Sequence, residues 1–139
     1  MLDNIDPKTW GPAYWKMLHY MTFAYPDNPT ENDKTDVINF FKALQPMLPC
    51  QKCRNNFNNH LKKFPLDENA LSSKLNLIIW LINIHNEVNI MTGKKVVSYD
   101  DVIKELSNEI KPIVSKQTIT FILLIFLVVV LIIFAKLRN

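Results

Sequence analysis

The sequence has few of the residues that build disulfide-rich, β-rich or nucleic-acid-binding proteins. Its 139 residues include only two cysteines and two glycines, and the formal net charge is only +3. Two cysteines are too few for a disulfide scaffold. Scarce glycine and long helical periodicities argue against a β-rich fold. Because the lysines are scattered along the chain and not clustered, we expect no nucleic-acid partner.

An uncharged apolar run lies toward the C-terminal end. Residues 119–135 read ITFILLIFLVVVLIIFA. As a helix this run would be about 25 Å long, close to the roughly 30 Å hydrocarbon core of a bilayer. Lys116, Lys136 and Arg138 flank it and would reach the two interfaces. The sequence therefore predicts a transmembrane helix at 119–135 with a short tail at 136–139, in a tail-anchored single-pass protein whose N-terminal domain faces the cytosol.

The rest of the chain carries helical periodicity. Apolar side chains recur three and four positions apart in segments that begin near Pro7, Thr30, Cys50 and Asn69, and a shorter segment follows Ser98. The pattern predicts an all-α fold: a four-helix bundle plus a short fifth helix, with the C-terminal transmembrane helix. We expect one domain over residues 1–110 and a linker over 111–118.

Two segments predict specific inward faces. In the fourth helix, residues 69–91, the expected buried residues are Leu71, Leu75, Ile78, Ile79 and Ile82. In the fifth helix they are Val102, Ile103, Leu106 and Ile110. Both faces follow from the three-and-four spacing of apolar residues.

Both cysteines fall in one C-x-x-C motif, Cys50 to Cys53, directly after Pro49 at a predicted helix N-terminus. Unpaired N–H groups and the helix dipole stabilise a thiolate there, and a pair with this spacing exchanges electrons with another dithiol. The same spacing begins many zinc sites, and His60 and His85 would supply two further ligands. The motif alone leaves open a redox pair and a membrane-anchored zinc or interaction module. A thioredoxin-like reductase would need a βαβ setting, and no strand pattern precedes Cys50.

Two further groups of polar and aromatic residues occur at helical spacing. His85, Asn86 and Asn89 share one helix face beside apolar neighbours, and such a wall suits a flat heterocycle with a hydrogen-bonding edge. Trp15 and His19 stand one turn apart on the first helix. Taken singly, each group is also consistent with core or helix-end residues that satisfy one another.

In combination these motifs resemble the Erv/ALR family of FAD-linked sulfhydryl oxidases. The chain carries W-G-P-x-x-W-x-x-L-H from Trp10, P-C-x-x-C from Pro49, then H-N-x-V-N from His85 and a following G-K, in the family's order and at similar intervals. The resemblance spans residues 10–99. It implies an FAD-dependent thiol oxidase that forms disulfide bonds in protein substrates and passes electrons through the cysteine pair to FAD, then to O2, giving H2O2.

The resemblance also implies roles for individual residues. Cys53 would lie against the flavin and Cys50 would exchange with the substrate dithiol; neither would bind a metal. The FAD site would be lined by aromatic, imidazole, amide and lysine side chains, with three more residues at its edge. The lining residues are Trp15, His19, His85, Asn86, Asn89 and Lys94, and the edge residues are Gly11, Pro12 and Tyr14. The family implies a homodimer.

The chain departs from the family in its cysteine content. Family members often carry a second, shuttle pair and a structural disulfide, which two cysteines cannot supply. Electrons would therefore enter directly from protein dithiols or from a small thioredoxin-like carrier. This minimal, membrane-tethered form is similar to those encoded by large cytoplasmic DNA viruses, which would place it in a host membrane or the virion.

Overall fold

The computed structural model describes residues 5–109 and 116–138, and over these residues the chain forms seven helices. They are α1 (Pro7–Ala24), α2 (Glu31–Met47), α3 (Gln51–Lys63), α4 (Glu68–Leu71), α5 (Lys74–Met91), α6 (Tyr99–Glu109) and α7 (Lys116–Arg138). The chain divides into two compact units, Met1–Lys104 and Glu105–Asn139. The all-α part of the predicted fold is confirmed.

Side-chain caps begin α2 and α6. At α2, the Thr30 hydroxyl accepts from the Asp33 N–H at 3.2 Å, and the Asp33 carboxylate accepts from the Thr30 N–H at 2.7 Å. Ser98 and Asp101 form the same reciprocal pair at α6. Each pair satisfies backbone donors that a helix start leaves free. The predicted starts of these two helices are therefore confirmed.

The predicted fourth helix is divided into α4 and α5. Ser73 is extended (φ −161°) and its hydroxyl accepts from the Asn76 N–H at 3.2 Å, so a new helix begins after it. The predicted inward face was wrong at Leu75 and Ile79, which are exposed. The reason is that the buried surface of α5, which packs against α1, α3 and α4, is centred on Leu77, Leu81 and Ile84, so that Leu75 and Ile79 lie outside it.

The core of the first unit fixes the helices that carry the candidate site. Trp80 of α5 packs edge-to-face on Phe41 of α2, with ring centroids 4.7 Å apart. The Trp80 indole N–H donates to the Phe64 carbonyl at 3.0 Å, and the Tyr25 hydroxyl donates to the Leu71 carbonyl at 3.0 Å. Buried polar groups need hydrogen-bond partners. The two bonds therefore fix where each ring lies in the core as well as how deeply it is buried. The first bond holds α5 to the end of α3, and the second holds the end of α1 to α4.

The transmembrane helix at 119–135 was a wrong prediction, and so was the tail-anchored, single-pass location inferred from it. Over the part of the chain that the structure describes, none of the helices has the length and apolar character needed to cross a membrane. Over the described residues the corrected fold class is all-α.

Val102 and Leu106 of α6 are buried, as predicted, and Ile103 is half-buried. Other predictions lie outside the described residues: the inward-facing Ile110, positions 111–115 of the predicted linker, and position 139 of the predicted tail.

Candidate active site

A disulfide bond joins Cys50 and Cys53, here called the redox pair, at the start of α3. Cys50 is the N-cap residue of α3, with extended backbone (φ −158°, ψ 117°). Its sulfur accepts a hydrogen bond from the Cys53 N–H at 3.1 Å, which satisfies one of the donors left free at the helix start. The predicted position of the pair at a helix N-terminus is confirmed. The helix dipole there favours a thiolate over a thiol.

The two cysteines differ in exposure. Cys50 is 8% exposed, whereas Cys53 is half-buried and packs against the edge of the core. In this conformation Cys53 is therefore the more accessible residue of the redox pair.

Arg54 lies next to the redox pair and was not predicted as a site residue. Its guanidinium donates to the Leu48 carbonyl and, at 2.8 Å, to the side-chain oxygen of Gln51. The sequence signal was a cation directly after the second cysteine and three positions after Gln51, a spacing at which helix side chains meet. The hydrogen bond back to Leu48 depends on the loop before α3 and has no sequence signal.

Trp15, His19 and His85, here called the ring cluster, are brought into contact where α1 packs on α5. The Trp15 indole and the His85 imidazole are stacked, with centroids 3.9 Å apart and planes 7° from parallel. Nε2 of His19 lies 3.0 Å from Nδ1 of His85, across 66 positions of sequence. The cluster thus presents flat π surfaces and imidazole nitrogens together.

Burial keeps both imidazoles of the ring cluster neutral at neutral pH. Loss of solvation lowers the pKa of His19 to about 4. Loss of solvation, and then the positive charges of His19 and Lys94, lower the pKa of His85 to about 4. In a neutral pair one ring donates and the other accepts. Nδ1 of His19 is buried without a hydrogen-bond partner among the described residues, so one polar atom of the cluster remains for a ligand.

The end of α5 places Asn89 and Lys94 on a tight turn. Gly93 has φ 68°, and the N–H groups of Gly93 and Lys94 donate to the carbonyls of Ile90 and Asn89 at 3.2 and 2.8 Å. This pairing is a Schellman motif, which glycine favours because it adopts positive φ without strain. Asn89 is buried and Lys94 is exposed. The turn therefore holds a lysine charge near the ring cluster, consistent with its effect on His85.

The side-chain amide of Asn86 is paired with the backbone of Val97. Its N–H donates to the Val97 carbonyl at 2.9 Å, and its oxygen accepts from the Val97 N–H at 2.9 Å. This two-way pairing fixes residues 93–98, which include Lys94, beside α5. Asn86 therefore acts on the site by holding this segment.

The three residues predicted at the edge of the site lie in the N-terminal half of α1. Pro12 is exposed, and the space around Gly11 is open. Tyr14 is half-buried and packs edge-to-face on Trp10 at 4.9 Å. They share α1 with Trp15 and His19 of the ring cluster.

The zinc alternative needs His60 and His85 beside the two cysteines. Across residues 5–109 and 116–138, no group of three or more His, Cys, Asp or Glu side chains is arranged to hold a metal ion. His85 belongs to the ring cluster. His60 is buried, and burial lowers its pKa. Glu87 raises this pKa and Lys63 lowers it, both by smaller amounts. The structure therefore does not assemble the four ligands that the alternative requires.

Comparisons with known proteins agree with this geometry. The sequence model of the Erv1 / Alr family matches residues 12–108, which is more than half of the chain. A probable FAD-linked sulfhydryl oxidase of Acanthamoeba polyphaga mimivirus is 43% identical over 108 residues, which cover 78% of this chain and 76% of the relative. A putative FAD-linked sulfhydryl oxidase of Invertebrate iridescent virus 3 is 33% identical over 91 residues, which cover 66% of this chain and 61% of that relative.

A solved structure shares the fold. The FAD-binding domain of Erv1 from Saccharomyces cerevisiae superposes with a TM-score of 0.68 at 22% identity, over 78% of this chain and all of that domain. At this identity the match concerns the fold alone.

Proposed function

Because the chain belongs to the Erv1/Alr family, we propose that it is an FAD-dependent sulfhydryl oxidase that forms disulfide bonds in protein substrates. The observation that carries the proposal is the redox pair, closed as a disulfide at the N-terminus of α3. Such a disulfide accepts two electrons from a dithiol by thiol–disulfide exchange. We assign the catalytic domain to residues 1–110, a range that contains the whole family match. Of the predicted linker over 111–118, residues 116–118 belong to α7.

The described residues fit an FAD site. The ring cluster offers flat aromatic faces, and the buried, unpartnered Nδ1 of His19 offers one directed polar contact, the combination that orients a heterocycle. The exposed Lys94 supplies a positive charge suited to a phosphate. We propose that Trp15, His19, His85 and Asn89 hold FAD with Lys94, that Asn86 holds the segment carrying Lys94, and that the edge is formed by Gly11, Pro12 and Tyr14. Bound FAD would supply the two-electron chemistry that links thiols to oxygen.

The protein's own contribution is thiol positioning. A substrate thiolate attacks Cys50, an S–S bond forms between them, and the Cys50–Cys53 bond breaks with its electron pair on Cys53. The second substrate thiolate then closes the substrate disulfide and releases Cys50 as a thiolate. The cycle can restart when the Cys50–Cys53 bond has re-formed, for which bound FAD would be the acceptor of the two electrons. We propose O2 as the final acceptor, with H2O2 as product, and protein dithiols or a small thioredoxin-like carrier as the donors.

The outer face of α1 supports a homodimer. It is lined by Ala13, Lys16, Met17, Tyr20, Met21 and Ala24. Met17 and Met21 are 44% and 39% exposed, and a contiguous apolar face of this kind is favourable to bury against a second copy. Sedimentation should give twice the mass of one chain, and a Met17→Glu, Met21→Glu variant should sediment as a monomer. A wild-type monomer at micromolar concentration would contradict the dimer.

The first test of the proposed function is the visible absorption spectrum of the full chain purified without added cofactor. Bands at roughly 370 and 450 nm, the absorption of a flavin ring, together with oxygen consumption on addition of dithiothreitol, are the expected result. A colourless, folded protein that carries stoichiometric zinc would contradict the oxidase and support the zinc module.

A further inference from the structure

The loop that enters α3 is held by both of its last carbonyl groups before Cys50. The Leu48 carbonyl accepts from the Cys50 N–H at 2.8 Å and also from the Arg54 guanidinium. The Pro49 carbonyl accepts from the Ile5 N–H at 2.9 Å. The two residues before Cys50 are thus held by one bond from within α3 and by another from the segment before α1.

Arg54 is itself restrained by its neighbours. Its guanidinium also donates to the side-chain oxygen of Gln51 at 2.8 Å, and the Gln51 amide donates to Asn55 at 3.1 Å. The Arg54 carbonyl accepts from the Gln45 side chain of α2 at 3.3 Å. Because the guanidinium is planar and already bonded to two fixed partners, it loses little further conformational freedom when it interacts with a third group. Arg54 therefore has a defined place across the first turn of α3 and the loop.

The positive charge of Arg54 lies near Cys50. The Arg54 guanidinium and the Cys50 N–H donate to the same Leu48 oxygen, so the charge is two hydrogen bonds away from the Cys50 backbone. Cys50 is 8% exposed, and a charge acts more strongly on a buried group than on a hydrated one. The first turn of α3 contains no acidic residue that would offset the charge.

We propose that Arg54 is a positioning residue for thiol exchange, which holds the loop bearing Cys50 and stabilises the Cys50 thiolate. This inference rests on the proposed function, in which Cys50 carries the mixed disulfide. When the second substrate thiolate attacks that disulfide, the substrate S–S bond forms, the bond to Cys50 breaks, and the electron pair stays on the Cys50 sulfur. A more stable leaving thiolate departs faster. Arg54 thereby promotes release of the oxidised substrate.

The test uses a Cys53→Ser background, in which Cys50 is the one cysteine of the full chain. The rate of Cys50 alkylation by iodoacetamide is measured against pH, because the thiolate is the reacting form. Arg54→Gln keeps an amide donor for the Leu48 carbonyl but removes the charge. We expect alkylation at pH 7 to slow about tenfold and the pH profile to move upward.

Two variants separate charge from fold. Arg54→Lys keeps the charge without the planar fork, and we expect it to slow alkylation less than Arg54→Gln does. Lys52→Met removes one exposed charge between the cysteines, and we expect a still smaller effect because exposed charges are screened. Urea unfolding of each variant checks that the protein is folded under the conditions of the alkylation assay. The proposal is overturned if the pH profile of Cys50 alkylation in Arg54→Gln coincides with that of the parent. It is also overturned if Arg54→Gln slows alkylation no more than Lys52→Met does.

The alkylation assay does not depend on a flavin, so its outcome is distinct from that of the proposed function. A yellow, active enzyme with an unchanged alkylation profile would overturn the role of Arg54 alone. A colourless, inactive protein would overturn the oxidase, whatever the profile shows. In the active enzyme we expect Arg54→Gln to move the pH profile of kcat upward as well, which a merely structural loss would not do.

Discussion

The redox pair and the ring cluster are constructed in different ways, although both lie in the same bundle. The redox pair uses one helix start: its two residues are three positions apart, and its hydrogen bond from the Cys53 N–H to the Cys50 sulfur is local. The ring cluster joins residues 66 positions apart through the packing of α1 on α5. The first therefore depends on local helix geometry, and the second depends on tertiary packing.

This difference separates the two halves of the proposed activity. Thiol exchange should depend on residues 48–54, while cofactor binding should depend on how firmly α1 and α5 are held together. Mutations that break one half should leave the other measurable, since contributions from separate sites are close to additive. Mutations at either site can therefore test whether thiol exchange and cofactor binding are independent.

The largest effect is expected at the redox pair. Cys53→Ser should lower dithiol-dependent oxygen consumption by at least about 10³-fold, because a nucleophile that acts as part of a unit is not replaced by its neighbours. The flavin bands at roughly 370 and 450 nm should remain, because the ring cluster is intact. Cys50→Ser is the matched control and should be equally inactive. An active Cys53→Ser enzyme would place the chemistry elsewhere, and loss of flavin would show that the two sites are not separable.

The next effect concerns pH and the ring cluster. Between pH 6.5 and 4, His19 and His85 are protonated in the unfolded chain but neutral in the native one, because their native pKa values are about 4. The unfolded state therefore binds more protons, and the free energy of unfolding falls as the pH is lowered through this window. We expect a loss on the order of 3 kcal/mol for the pair after allowance for partial exposure.

Urea unfolding at several pH values measures this loss. The control is a His19→Asn, His85→Asn variant, which should show a flatter dependence between pH 6.5 and 4. Some dependence should persist, because burial also lowers the pKa of His60. The redox pair adds nothing in its oxidised form, since disulfide cysteines do not titrate. Equal pH dependence in the parent and the double variant would mean that the two imidazoles are not held neutral by burial.

A smaller effect is expected when the stacked face is removed. Trp15→Leu should weaken FAD binding about tenfold, since an aromatic pair contributes about 0.5–1.5 kcal/mol beyond its area. Trp15→Phe keeps an aromatic face and should lose less. Flavin fluorescence titration gives the affinity. In the Cys53→Ser background, Cys50 alkylation should be unaffected by Trp15→Leu; a change there would show that the ring cluster and the redox pair are coupled.

The same contrast explains what the sequence could predict. The helix start at the redox pair was predictable, because C-x-x-C after Pro49 and the capping residues are local signals. The contact between His19 and His85 follows from packing, so only the resemblance to a family suggested that they share a site. The division after Leu71 was missed because Ser73 competes with the helix through a side-chain cap. Leu75 and Ile79 were misplaced because the tertiary contacts of α5 centre its buried surface on other residues, Leu77, Leu81 and Ile84.

The transmembrane prediction shows the limit of composition. The run at 119–135 is apolar in sequence, but the described helices do not include one that meets the requirements for crossing a membrane. The bond from Arg54 to Leu48 was also out of reach, although the sequence places the Arg54 charge near the cysteines, because the bond joins a helix side chain to the carbonyl of a loop.

The smallest expected effect is on the free energy of unfolding when each of the two glycines is replaced by alanine. Gly93 sits at φ 68° in the turn that carries Lys94, and no atom lies within 4 Å of an added Cβ. Gly93→Ala should therefore cost about 1 kcal/mol from backbone strain alone. Gly11 is helical and also has open space, so alanine gains helix propensity there. That gain is opposed by the clash of its Cβ with the following Pro12, and we expect a net change within about 0.5 kcal/mol.

Urea unfolding of both variants gives the two differences directly. The turn at Gly93 orients the segment with Lys94, so the strain introduced by Gly93→Ala should also weaken FAD binding slightly, while leaving Cys50 alkylation in the Cys53→Ser background unchanged. A cost at Gly11 that equals or exceeds the cost at Gly93 would mean that the backbone of α1 beside the ring cluster, and not the turn after α5, is the more constrained part of the site. The cofactor half would then depend on α1 more than on the end of α5.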